Sequence, residues 1–265
     1  MPTQELPRPG TCDPFQLTAV VPAANSQGVV PDVIATLTFN DFPDPDTVGS
    51  STLSLYTGFY FFTGSYAVDL VDRRASFRPS GPLAGGLGYT LLVKPGVRSL
   101  RGCILQAGGP AAGPGDTDTM AFRFEVVGPT EQRHPDPVGP PAVTYPDVVQ
   151  VFGAHCAGAA CHLLPAQDPS TVEACTTTPA GGLSLCASEA RGAVIGVPSR
   201  QVRRLVLVAP HDASRSYLLR KLIGAPPVVG HIGVPGDTLT EDDERAIQEW
   251  IETGALGREA NDGGL

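Results

Sequence analysis

Five prolines in the sixteen residues 128–143, GPTEQRHPDPVGPPAV, constrain this chain more than any other feature. Proline lacks the backbone N–H that a helix or a central strand needs, so no regular element runs through this stretch. It cuts a chain of 265 residues into two parts, each long enough to fold as a domain. The spacing of apolar residues differs on its two sides. We therefore expect a β-sandwich domain over 12–127, a Pro-rich linker over 128–143 and a helical domain over 144–256. In extended polyproline form such a linker reaches roughly 40 to 50 Å.

On the N-terminal side, short alternating or β-branched runs are cut at regular intervals by Gly, Pro, Asn and Asp, the pattern of strands and turns. The expected strands are Phe15 to Val21, Val33 to Phe39, Thr52 to Tyr56, Ala67 to Val71, Tyr89 to Val93 and Ala121 to Val127. In VIATLTFN, Ile34 or the residues alternating with it face inward. In AFRFEVV, Phe122 and Phe124 share one face while Arg123 and Glu125 take the other. About seven strands over this length predict a sandwich.

After Tyr145 the period becomes helical. YPDVVQVFGAHC has Pro146 in a first-turn position, with Val148, Val149 and Phe152 on one face. Ser188 to Val197 reads as a weaker helix. HDASRSYLLRKLIG reads as a stronger one, with Tyr217, Leu218 and Leu222 spaced for burial and Gly224 placed to end it. In LTEDDERAIQEWIETG, Thr240 can cap with Asp243 three residues on. Acidic residues there occupy the positive end of the helix dipole, and Ile247, Trp250 and Ile251 form the apolar stripe before Gly254.

Composition excludes several classes. A formal net charge of -9, shared nearly evenly between the two halves, repels phosphate backbones, so nucleic acid is not an expected partner. No apolar run approaches the roughly 20 residues that span a bilayer. No phosphate loop, nucleophile elbow or pair of catalytic carboxylates stands out, and we expect no enzyme. The opening MPTQELPRPGTC has no charged segment followed by an apolar one, so an export leader, if the protein has one, is expected upstream of Met1.

The chemistry concentrates in HCAGAACH. Two thiols followed directly by a histidine, Cys156, Cys161 and His162, form the arrangement that bonds both vinyl groups of a haem and then offers an imidazole to its iron. The usual spacing between the thiols is two residues and here it is four. The four intervening residues, Ala157 to Ala160, are all small, so the loop can bulge without pushing side chains into a macrocycle. Two other readings stand beside this one. One is a plain disulfide between Cys156 and Cys161. The other is zinc held by His155, Cys156, Cys161 and His162, which adjacent His-Cys ligands make awkward.

Residues 145–256 resemble the monohaem cytochrome c-like domains of planctomycetes and myxobacteria. The resemblance rests on the Cys/Cys/His motif at the end of a helix, the GGLSL stretch Gly181 to Leu185, and Pro210 to Leu222 with Ser216, Tyr217, Leu218, Lys221 and Leu222. Trp250 to Ala255 completes it. It implies an all-α fold carrying one haem c, with Cys156 and Cys161 as thioether attachments and His162 as proximal ligand. Phe152, Leu183, Leu218 and Trp250 would then exclude water from it. The family's Met-Pro is replaced here by Val234 and Pro235, and no methionine follows Met120. A His/Met haem is therefore excluded within this domain, which leaves another ligand, an open iron that would be a site for small molecules and, as a weaker option, an enzyme, or no haem. His231, three residues before Val234, is the leading candidate for the sixth ligand, ahead of His211, while His155 adjoins a thioether cysteine on the proximal side.

Residues 12–127 resemble bacterial Ig-like domains related to those of surface-layer proteins. The matching pieces are Pro22 to Val29, Thr38 and Phe39, Asp44 to Val48, Phe77 to Leu83 and Gly88 to Leu92. This resemblance implies a seven-stranded sandwich that acts as a spacer or contact surface on an exported protein. If a haem takes two thiols, pairing Cys12 with Cys103 and Cys175 with Cys186 is the one connectivity that keeps each bridge inside its own domain.

The whole chain then reads as a periplasmic or cell-surface electron carrier on an Ig-like spacer. Its partner would be a redox protein, membrane-associated or not, with assembly into a surface complex left open. The alternative is a haem-less, disulfide-stapled envelope protein with a binding or structural role. The acidic group Asp41, Asp44 and Asp46 fits turn chemistry better than calcium. The basic group Arg200, Arg203, Arg204, Arg215, Arg220 and Lys221 is expected on solvated helix faces, with haem propionates or an acidic redox partner as its functional alternatives.

Overall fold

The computed structural model describes residues 13–106, 119–128, 143–158, 161–163, 175–228 and 239–255. The chain divides into two compact units, Met1–Pro137 and Val138–Leu265. The Pro-rich linker expected over 128–143 lies almost wholly outside the described residues, as do Cys12 and His231.

Nine strands make up the described part of the first unit. They are β1 (Leu17–Val21), β2 (Ser26–Val29), β3 (Ala35–Phe39), β4 (Leu53–Thr57), β5 (Tyr60–Phe61), β6 (Gly64–Asp69), β7 (Arg74–Pro79), β8 (Gly88–Val93) and β9 (Met120–Val126). One sheet has the order β1-β3-β7-β6 and the other β2-β9-β8-β4-β5. Only β2 runs parallel to its neighbour, β9; the other ladders are antiparallel. Alternation decides which side chains enter the core. In β3, Ala35, Leu37 and Phe39 are buried, so the residues alternating with Ile34 face inward. In β9, Phe122 and Phe124 are buried while Arg123 and Glu125 are exposed.

A single apolar core joins the inward faces, and the Phe15 and Phe39 rings stack 5.1 Å apart within it. The Tyr66 hydroxyl on β6 donates to the Leu53 carbonyl on β4 at 3.0 Å and so ties one sheet to the other. Cys103 is half of a disulfide.

Three strands escaped the sequence reading. β7 buries only Ala75 and Phe77 between arginines, and β5 is two residues long. β2, SQGV, owes its extension to the ladder with β9 and has no apolar period of its own.

The second unit is a small helical body with long irregular connections, a coarser result than the all-α expectation. Among the described residues it has α1 (Tyr145–His155), α2 (Ala190–Val194), α3 (Tyr217–Leu222) and α4 (Glu241–Glu252). Isolated bridges pair Ile195 with Val208 and Pro198 with Val206.

The outer two helices start as their sequences dictate. The Asp147 carboxylate accepts the Thr144 backbone N–H at 2.7 Å. In α4, Thr240 and Asp243 exchange backbone bonds at 3.0 and 3.2 Å as a reciprocal capping box. Packing of α1 against α4 brings the Tyr145 and Trp250 rings to 5.8 Å.

The inner two helices are shorter than their periods suggest. α2 stops at Ile195, whose chain turns into the bridge with Val208. The helix expected from His211 breaks into a 3-10 turn, Ala213–Arg215, followed by α3. The cause is Ser216, which is fully buried and whose hydroxyl accepts from Ala209 N–H at 2.8 Å and donates to the Asp212 carbonyl at 2.9 Å. The N–H groups of Tyr217 and Leu218 go to the Val206 and Leu207 carbonyls, so a passing loop satisfies this helix start.

Candidate functional site in the helical unit

The two thiols and the histidine sit on a closed turn beyond the end of α1. Gly158 N–H donates to the Leu163 carbonyl at 2.9 Å, Cys161 N–H to Gly158 at 3.0 Å, and His162 N–H to Cys156 at 3.2 Å. The longer spacing is thus folded back by main-chain bonds, which place His162 beside the first cysteine's backbone. A Cβ on Gly158 would lie 2.7 Å from Cys161 Sγ, so a larger residue there would force that thiol to move. Cys156 and Cys161 are half-buried, and neither is in a disulfide.

The GGLSL stretch lies against this turn. Ala180 N–H donates to the Cys161 carbonyl and Leu185 N–H to the His162 carbonyl. The Leu183 carbonyl meets His162 Nδ1 at 2.9 Å. A carbonyl oxygen can only accept, so in the neutral ring Nδ1 carries the proton and Nε2 keeps the lone pair.

Cys156, Cys161 and His162 line a cavity of about 580 Å³ inside this unit. That is the size class of a pocket for a cofactor or drug-sized ligand, roughly 300 to 1,000 Å³. Its apolar wall includes Leu183, Leu185, Val197, Leu207, Leu218 and Leu222. Leu183 and Leu218, two of the four residues expected around a haem, are thus on the cavity wall. Phe152 and Trp250 do not line the cavity; they are buried side chains of α1 and α4.

Its polar lining includes Arg200, Gln201, Tyr217 and Lys221 beside Ser199, His155 and His162. Gln201 Oε1 accepts from Tyr217 hydroxyl at 3.0 Å and from Lys221 Nζ at 2.7 Å. Burial pushes the Lys221 ammonium below its usual pKa. Arg200 Nη1 donates to the Gly181 carbonyl at 2.9 Å.

The basic residues thus separate by role. Arg200 and Lys221 face the cavity. Arg220 is nearly fully buried and bonds Ser214 and Pro226 carbonyls, a structural part. Arg215 pairs with Asp212 at 2.8 Å. Burial alone would raise the Asp212 pKa, but bonds from Arg215 and Ser214 outweigh it and hold the carboxyl low.

The other histidines have different places. His155 lines the cavity with its Nε2 3.3 Å from Asp243. The Asp243 carboxyl is held low by its bonds to Thr240, with His155 adding to the effect. His211 Nδ1 lies 3.0 Å from the Glu252 carbonyl at the end of α4, and His211 is not among the residues that line the cavity. His231, the leading sixth-ligand candidate, lies outside the described residues.

Among the described residues, the one group of three or more metal-type donors that converges is Cys175, Cys186 and Glu189. Its two cysteines are joined in a disulfide, as expected, and so offer no thiolate. The zinc set of His155, Cys156, Cys161 and His162 does not converge in this way. Asp44 caps a 3-10 turn, Pro45–Thr47, and Asp41 bonds Phe42 N–H, which is turn chemistry.

Sequence reasoning missed Gln201, Val197 and Leu207. They come from the irregular 195–208 segment, where no period marks a face. The neighbouring Arg and Lys residues were visible only as charge.

The bacterial Ig-like domain family matches residues 12–123, and the N-terminal unit is an Ig-like β-sandwich. Solved structures resemble the same part of the chain. The S-layer protein rSbsC(31-844) is 14% identical over 43% of this chain and 14% of its own, with a TM-score of 0.31. This chain therefore spans only a small part of that protein's length. CopC from Methylosinus trichosporium OB3b is 14% identical over 45% of this chain and 99% of its own, at 0.33. PcoC, a copper resistance protein from Escherichia coli, is 17% identical over 42% and 97%, at 0.31. No curated protein matches. No helix among the described residues is long and apolar enough to cross a membrane.

Proposed function

We propose that the second unit is a single-haem c-type cytochrome domain that carries electrons, borne on the Ig-like module of an exported protein. The observation that supports it is the meeting, at one cavity, of two thiols outside any disulfide and an imidazole already aimed by a carbonyl behind it. The residues fit the group: the cavity is of cofactor size and mostly apolar, with its cations and amides among a few polar groups.

One haem c would be held through Cys156 and Cys161, with His162 as proximal ligand through Nε2, and when bound it supplies a one-electron couple. The chain's own residues do the rest. Leu183 O fixes the tautomer and orientation of His162, as second-shell acceptors do for ligating histidines. The leucines exclude water. His231 is our assignment for a second histidine that would hold the iron, because a neutral imidazole is a good iron ligand. The partner is a redox protein, and the site of action is the periplasm or the cell surface. We read no catalysis in either unit.

A second reading is favoured by the family match over 12–123 and by the Cys175–Cys186 cross-link. On that reading the protein is structural or binding in the envelope, and the helical unit is a stapled scaffold. One experiment separates the two. The full chain, exported in a host that matures c-type cytochromes, is purified and examined for a Soret band and for a pyridine haemochrome that survives acid-acetone extraction. Covalent haem that is lost in Cys156→Ala/Cys161→Ala upholds the electron carrier. Colourless protein with Cys156 bonded to Cys161 leaves the scaffold.

A further inference from the structure

The Ig-like unit carries an aromatic hairpin that its core does not use. Strands β4 and β5 are joined through Gly58 and Phe59, with Thr57 paired to Tyr60. Gly58 takes a φ of 55°, which glycine enters without steric cost and which lets the turn be this short. Nothing lies within 4 Å of a Cβ built on Gly58, so the turn stands clear of the sandwich. Phe59 is 98% exposed, Tyr60 77% and Phe61 65%. Exposed Leu87 belongs to the same end of the sheet, for Thr57 Oγ1 donates to the carbonyl of its neighbour Gly88 at 2.6 Å.

Charge, area and depth narrow what this hairpin meets. Residues 47–68 hold no Asp, Glu, Lys, Arg or His, in a chain of which 17% is charged. β5 is an edge strand, a place that proteins ordinarily guard with charge or proline, and residues 47–68 supply neither. Such a tip enters a low-dielectric medium without the desolvation cost of an ion. Three rings of this exposure offer roughly 350 to 600 Å², short of the roughly 800 Å² that each partner gives to a stable protein interface. Phe59, at the apex, is wholly apolar, while Tyr60 and Tyr56 behind it carry hydroxyls. An apolar ring foremost with amphipathic rings behind is the order in which a bilayer interface takes aromatic side chains. The flanking ladders place Arg78 opposite Ser65, Arg123 opposite Thr90 and Glu125 opposite Gly88, charges of both signs. The net charge of -9 disfavours an anionic surface.

We infer that this hairpin docks the Ig-like unit on a zwitterionic lipid surface, with the Phe59 ring entering the acyl boundary and Tyr60, Phe61 and Leu87 lying at headgroup level. The docking is peripheral and reversible, because a few rings make it. It concerns the sandwich alone and does not rest on the haem.

The test uses the full chain and large unilamellar vesicles of phosphatidylcholine, with the bound fraction read by flotation. Phe59→Ser should lower the partition coefficient at least about tenfold, and Phe61→Ser by less. Replacing part of the phosphatidylcholine by phosphatidylglycerol should weaken binding, and added salt should restore it. In Phe59→Trp, vesicles should shift the emission to the blue and bromine on the acyl chains should quench it, while Trp250 in the parent chain responds to neither. Circular dichroism checks the fold of each variant.

No flotation of the parent chain, or equal flotation of the parent and Phe59→Ser, overturns the inference. So does a concentration-dependent dimer in the ultracentrifuge that Phe59→Ser abolishes, which would give the rings to a second copy of the chain. Binding that needs cationic lipid and disappears in salt overturns it as well, since charge and not the hairpin would then hold the surface. Covalent haem, present or absent, moves none of these readouts.

Discussion

The two units solve the same problem in opposite ways. The sandwich fills its interior with its own side chains: Phe15, Phe77, Phe122, Tyr89 and a set of leucines are almost wholly buried between its sheets. The helical unit buries Trp250, Tyr217 and Phe152 but keeps a cavity of about 580 Å³ beside them. Its helices among the described residues run from 5 to 12 residues, lengths that are marginal without tertiary support. It adds a cross-link, Cys175–Cys186, across a separation of 11 residues. Short helices and a staple leave this unit dependent on its tertiary contacts and cross-link, whereas the sandwich is filled by its own side chains.

This contrast can be broken experimentally, because the chain's single tryptophan, Trp250, is buried in the helical unit and reports on it alone. The largest effect is expected for Phe122→Ala. It should cost about 3 to 5 kcal/mol in the sandwich, seen in urea melts followed by far-ultraviolet circular dichroism, while the Trp250 emission transition stays in place. A common shift of both signals would show that the units unfold together.

Next comes Cys175→Ser/Cys186→Ser, which should lower the Trp250 transition by about 3 kcal/mol through the freed chain entropy of the unfolded state. An unchanged midpoint would mean that the staple contributes nothing.

The smallest effect is at the caps. Thr240→Ala should cost about 1 kcal/mol and should also flatten the acid limb of stability. Asp147, Asp212 and Asp243 have pKa values held low in the folded unit, Asp147 and Asp243 by cap bonds and Asp212 by bonds that outweigh its burial. A depressed carboxyl contributes stability that is present above its unfolded value, about 3.9, and is lost as pH falls through the folded one. Glu244, raised by burial and by Glu241, works in the opposite sense. Trp250 melts between pH 5 and pH 2 should show the net loss, reduced in Thr240→Ala.

Legibility in the sequence followed how locally each element is determined. α4 was readable in full, because its cap, its acidic first turn and its apolar stripe all lie within sixteen residues. β9 was readable because strict alternation of Phe122 and Phe124 with Arg123 and Glu125 leaves one possible face. β2 was not, since its hydrogen bonds come from a strand about a hundred residues away. The break at Ser216 was hidden for a related reason: its buried hydroxyl serves Ala209 and Asp212, a tertiary demand that overrides a helical period. At the candidate site, the thiols and His162 were legible as a motif, and Lys221 as a charge. The bond of Arg200 to the Gly181 carbonyl was not, because neither residue type signals the other until the chain has folded.

The acceptor behind His162 belongs to the backbone of Leu183, and this makes the aim of the ring unusually hard to spoil. Exchange of the leucine for any other amino acid leaves the same oxygen in the same chemical state, so drift at that position cannot erase the imidazole's bearing. Only displacement of the peptide itself could do so, which ties the ring's direction to the course of the main chain.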